Sequence, residues 1–216
     1  METITSEAFL RWAGGGGIGF DPRYPDSRCL CLIPVREHAR FWVLPPDPAT
    51  WPYFTSSVLD GFDDWKEGVL WPRSGRWPDR TSSQSCNERT RDVILRGAGV
   101  PDGWSGAVRF RGDEEDALIA VLYAFLAFGW CVDDDLFFIP DHRRQLLQTD
   151  HHDVIHVSCE SEERIRQLVE HMAEAGYELP RELPDWTFKR PAWMDHVDPI
   201  APEERRPDSA RDSPPG

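Results

Sequence analysis

From Ala117 to Trp130 the chain runs apolar for 14 residues, and this run restricts the possible folds more than any other feature. As a helix it is about 21 Å long, too short for the ~30 Å hydrocarbon layer of a bilayer. A helix that is apolar all round must be covered all round. The run therefore predicts a central helix with other elements packed against it. Asp113, Glu114, Glu115 and Asp116 open that helix, where carboxylates meet the positive end of its dipole. Gly129 stops it.

The segments around it read as strands. Ala107 to Phe110 predicts a short one, and Asp135 to Ile139 a second, ended by Pro140. Residues 144–148 return antiparallel, and Asp153 to Cys159 alternates as a third member of the run. Ser161-Glu162-Glu163 then starts a helix with Ile165, Leu168, Val169 and Met172 inward, closed by Gly176. Residues 104–176 thus spell β-α-β-β-β-α. The expected fold class is α+β, an antiparallel meander sheet packed against helices.

Upstream, Thr5 or Ser6 caps a short helix that ends at the run Gly14 to Gly17. Residues 28–33 and 40–44 flank a polar turn at Arg36-Glu37-His38 and predict a β-hairpin. Phe54, Val58, Phe62 and Trp65 form one apolar face of a helix over about 52–67. Gly68, Pro72, Gly75 and Pro78 mark 68–83 as a loop. Ser85-x-x-Glu88 is a capping box for a helix over 86–96. From Asp195 onward the composition is Pro, Asp, Glu, Arg and Ser. The expected organisation is one domain over 1–194 and a disordered tail over 195–216.

Charge is unevenly placed. Residues 1–70 carry a net −4, residues 71–111 a net +4 and residues 112–216 a net −14, the last figure equal to that of the whole chain. Apart from Lys66 and Lys189 every basic side chain is Arg, a bias that a GC-rich genome produces. The basic middle interleaves Arg73, Arg76, Arg80, Arg89, Arg91, Arg96, Arg109 and Arg111 with Trp71, Trp77 and Trp104. That is the composition of a single-strand nucleic-acid platform, but a strongly acidic chain opposes a polyanion. Pairing of these cations with the acidic half is the simpler expectation.

Five cysteines, an odd number without C-x-x-C, offer neither a zinc ribbon nor a redox motif. The start Met1-Glu2-Thr3 is acidic and lacks a long apolar run, so no signal peptide is expected. These features point to a reducing cytoplasm, no membrane partner, and thiols that serve as small core groups. Cys86, at a helix start, lacks a neighbouring base.

The remaining motifs suggest chemistry with varying force. Gly14 to Gly19 matches G-x-G-x-x-G, but a helix precedes it and Asp21-Pro22 follows, which is the wrong context for a dinucleotide fingerprint. Four of the seven histidines fall between His142 and His156. His142, His151, His152 and Asp153 are candidate ligands for a divalent metal. On a strand, His152 and His156 share a face but stand about 13 Å apart, too far for one ion. Asp133, Asp134 and Asp135, with Glu162 and Glu163, build an acidic surface.

No Ser-His-Asp set and no G-x-S-x-G stand out. The first functional expectation is a non-enzymatic acidic binding protein that engages a basic protein partner through Asp133, Asp134, Asp135, Glu162 and Glu163, as an inhibitor or immunity-type protein does. The second is a metal-dependent hydrolase built on His142, His151, His152 and Asp153. The third is a phosphate-ligand pocket between the Gly run and Arg73, Arg76 or Arg89.

Overall fold

The computed structural model describes residues 1–35, 38–82, 85–128, 135–150 and 153–180. In chain order the elements are β1 (Glu2–Thr5), α1 (Ser6–Gly14), β2 (Ile18–Phe20), β3 (Leu30–Leu32), β4 (Ala39–Val43), α2 (Trp51–Asp60), β5 (Glu67–Pro72), α3 (Cys86–Gly97), β6 (Gly106–Arg111), α4 (Glu115–Phe128), β7 (Leu136–Pro140), β8 (Gln145–Asp150), β9 (Val154–Cys159) and α5 (Glu162–Glu174). Seven strands form one sheet in the order β1-β6-β5-β7-β8-β9-β4, and β2 and β3 form a small second sheet. Every pairing is antiparallel. The α+β class and the meander β7-β8-β9 are as the sequence predicts. No described helix is long and apolar enough to cross a membrane.

Alternation along the strands sorts side chains onto two faces. Trp42, Leu70, Val108, Phe110, Phe138, Leu147, Ile155 and Val157 face the layer of α2, α3, α4 and α5. Val69, Trp71, Ala107, Phe137, Ile139 and Leu146 lie on the other face, with Phe9 and Ala13 of α1 and with Ile18, Leu30 and Leu32 of β2 and β3. The α1 ring of Phe9 stacks on Trp71 at 4.3 Å between centroids.

The apolar run is α4, at the centre of the helical layer. Leu118, Val121, Leu122 and Ala124 are wholly buried, each of the larger ones contributing about 1.5–3 kcal/mol. Phe125 meets the edge of Trp77 at 5.7 Å. The capping box of α3 forms as read: Ser85 Oγ accepts from Glu88 N–H, and Glu88 accepts from Ser85 N–H.

Three local readings need correction. The hairpin between 28–33 and 40–44 does not form. β3 pairs instead with β2, and β4 pairs with β9. The turn residues at 21–29 lead back from β2 to β3, while β4 needs the far sheet edge to bury Trp42. The helix from 52 ends at Asp60, where Gly61 leaves room for Leu168 and His171 of α5. Within the loop expected over 68–83, residues 68–72 belong to β5, a strand in the interior of the sheet, and Gly68 lies under the ring of Phe138. Its continuous apolar run lacks alternation because both faces are covered. The tail expected over 195–216 lies outside the described residues.

Candidate functional site

The connection from α2 to β5 and the first turn of α4 enclose a cleft of about 320 Å³. Leu59, Phe62 and Trp65 supply its apolar wall, and Asp60, Asp63, Asp64 and Glu115 its acidic one. Folding dictates this mixture locally. Phe62 and Trp65 turn inward against Phe138, while Asp60 and Asp64 beside them are exposed. A hydrogen bond of 2.8 Å from Gly112 N–H to the Lys66 carbonyl brings the start of α4 alongside.

One carboxylate is structural. Asp63 receives Arg164 Nη1, and Arg144 Nη2 lies 3.2 Å from its other oxygen. Its backbone N–H donates to Gln145 Oε1 at 2.9 Å. Asp63 therefore ties the cleft floor to β8 and α5. Asp60, Asp64 and Glu115 have no ion-pair partner among the described residues. Burial, and then the nearby charges of Asp60 and Asp116, push the Glu115 carboxyl above its usual range. The helix dipole acts the other way, so burial together with the crowding of negative charge outweighs it. By contrast Glu114 is held low by the Met1 ammonium and the Arg111 N–H.

The carboxylates read from sequence are dispersed. Asp135 is buried, with a side-chain exposure of 3%, and accepts from Arg73 Nη1 and Gln148 Nε2, both at 3.1 Å. It is thus a core anchor and not part of an open acidic surface. Glu162 and Glu163 stand exposed in the first turn of α5, where Arg166 and Gln167 engage Glu163. Asp133 and Asp134 lie outside the described residues.

The metal set also separates. His142 precedes β8 and Asp153 follows it, in a left-handed conformation with φ 61°. The strand between them is about 17 Å long, so the two cannot hold one ion. Asp153, in this left-handed conformation, is a turn residue that precedes β9, which begins at Val154. His151 and His152 lie outside the described residues. Among the described residues no three of His, Cys, Asp and Glu converge as a metal site, and this includes the carboxylates of the cleft.

Several residues of the Gly run and of the Arg-rich middle are engaged within the fold. Arg143 lies across Gly16, donates from Nη1 to the Trp12 carbonyl at 2.9 Å and stacks its guanidinium 5.5 Å from the Trp12 ring. A Cβ on Gly16 would overlap the Arg143 side chain. Arg143 N–H bonds to Pro140 at one end of β7, while Arg73 N–H bonds to Asp135 at the other. The Gly run and Arg73 therefore do not share a pocket. Arg91 pairs with Asp92 in the core, Arg109 with Glu2, and Arg111 with Asp113. Trp71 and Trp77 are buried, and Trp77 Nε1 donates to the Gly106 carbonyl at 3.0 Å, so neither ring is open for base stacking.

Sequence reasoning missed the cleft because it placed Phe62 and Trp65 on a helix. The signal was the string Asp60-Gly61-Phe62-Asp63-Asp64-Trp65, in which a glycine and an Asp pair break the helical period. Compared with family models, with curated proteins and with solved structures, the chain shows no match.

Proposed function

We infer that the protein is a non-enzymatic binding protein whose cleft between α2, β5 and α4 takes a cationic side chain of a basic partner protein. The observation that supports this most is that Asp60, Asp64 and Glu115, which have no ion-pair partner among the described residues, stand around a cleft with an aromatic wall. They surround the space without converging on one point, an arrangement suited to a planar guanidinium or a flexible ammonium. The half-buried Trp65 adds an aromatic ring to the wall of the same cleft, a side chain that attracts a cation when its face is reached. A net charge of −14 steers such a partner inward. A role as an inhibitor or immunity-type protein against a cationic effector fits these features. Burial raises the thiols of Cys31 and Cys159 to about 11, and such inert thiols fit the reducing cytoplasm.

An arginine-rich peptide is the probe. It should bind at low salt, change the Trp emission and lose affinity as salt rises. The triple variant Asp60→Asn, Asp64→Asn, Glu115→Gln should weaken it at least tenfold, about 1.4 kcal/mol. Glu162→Gln with Glu163→Gln on α5 should change it little. Equal affinity in the triple variant and the native chain would refute the assignment to the cleft.

A further inference from the structure

The two edges of the seven-stranded sheet differ. At β1 the Met1 ammonium sits on Glu114, and Glu2 pairs with Arg109. At β4 the one charged side chain is Arg40, and among the described residues no ion pair lies on the strand. The Cys159 N–H donates to the His38 carbonyl and the Leu44 N–H to the Asp153 carbonyl, both at 2.9 Å. Even-numbered residues therefore turn their backbone toward β9, and Ala39, Phe41 and Val43 turn theirs outward. Among the described residues Phe41 and Val43 have no backbone partner on that side. The Ala39 carbonyl accepts the side chain of its neighbour Arg40, at 2.8 Å. The strand contains no Pro, Gly or bulge, and of the devices that blunt an edge it carries a single charge, Arg40. Its outward residues are apolar, and Val43 is 42% exposed.

We propose that β4 is a dimer edge, on which β4 of a second copy pairs antiparallel about a two-fold axis at Phe41. The pattern of this strand selects both partner and register. Centred on Phe41, Ala39 faces Val43 and Phe41 faces its own copy, so apolar groups meet on one face of the sheet. On the other face Arg40 lies opposite Trp42, with no like charge directly across. Centring on Arg40 instead would set two guanidiniums opposite each other, which is unfavourable. Centring on Trp42 would set Pro45 opposite Ala39, where the ladder lacks an N–H. Of the three registers centred on Arg40, Phe41 and Trp42, the one on Phe41 satisfies both charge and backbone, and it makes the strand complementary to itself. The contact is short, so the dimer is weak and depends on concentration. This inference is independent of the acidic cleft, which lies against β5 and α4.

Sedimentation of the full chain from about 1 μM to about 1 mM, the range of weak complexes, tests it. The native chain should shift from monomer to dimer. Phe41→Asp and Phe41→Arg should each stay monomeric, and an equimolar mixture of the two should restore the dimer, since opposite charges then meet on the axis. Val43→Asp changes an exposed side chain and should abolish the dimer without touching the ring contact between Phe41 and His156. Far-UV circular dichroism checks that each variant is folded. A native chain that stays monomeric at the highest concentration overturns the proposal. So does a dimer that survives in Phe41→Asp and Val43→Asp, or a folded mixture that stays monomeric.

Discussion

His142 carries an unusual burden for a residue in a turn. Its Nδ1 accepts the Arg144 N–H at 3.1 Å, and its Nε2 is buried with no hydrogen-bond partner among the described residues. Burial, then the nearby Arg144 charge, pushes its pKa below 6.5, against a weaker pull from Asp141 and Glu160. The fold thus holds the neutral ring and binds fewer protons than the unfolded chain. This contribution to stability is complete above about pH 6.5 and is lost as pH falls from there through the lower folded value. Urea unfolding across that range should show a declining midpoint, and His142→Gln should flatten part of the slope. An unchanged slope in the variant would assign the proton uptake elsewhere. At this scale the sequence was legible only in part. It marked His142 as chemically suggestive, but not that Arg144 and the fold would take up one ring nitrogen and bury the other. It also marked the Gly run as a loop, while the reason for Gly16, the side chain of Arg143, comes from 127 residues further on.

Among the elements, legibility followed locality. α3, α4, α5 and the run β7-β8-β9 could be read because each is bounded by its own signals: a capping box, an acidic first turn, a serine cap, Pro140. β1 and β5 could not, because partners distant in sequence make them strands. β1 pairs with β6, and β5 lies between β6 and β7. The cleft depends on where β5 begins, so the error there hid the site as well. The cap of α3 gives a test at this level. Ser85 Oγ is 3.1 Å from the Glu88 N–H, and the reciprocal bond is 2.7 Å. Ser85→Ala should cost roughly 1 kcal/mol, and Glu88→Ala added to it should cost little more, because the two side chains act as one cap. Additive losses in a double-mutant cycle would show that they act separately.

For the molecule as a whole, negative charge is in excess, and ion pairs use up much of the positive charge. Arg144 and Arg164 are committed to Asp63, Arg73 to Asp135 and Arg91 to Asp92. The uncompensated carboxylates therefore repel one another. Raising salt from about 10 mM to about 150 mM shortens the screening length from about 30 Å to about 8 Å. The Tm should rise by about 2–4 °C if the relief is near 1 kcal/mol. A fall would show that the ion pairs contribute more than the repulsion removes.

The strand order also sets a schedule for synthesis. β4 leaves the ribosome roughly 110 residues before β9, its sheet partner, and β1 about 100 before β6. At ordinary translation rates β4 waits about 6–20 s with Trp42 exposed and both backbone edges unpaired. Until then, pairing with a strand of a neighbouring nascent chain is open to it. The yield of folded protein should therefore depend on translation speed and on the spacing of ribosomes along the message.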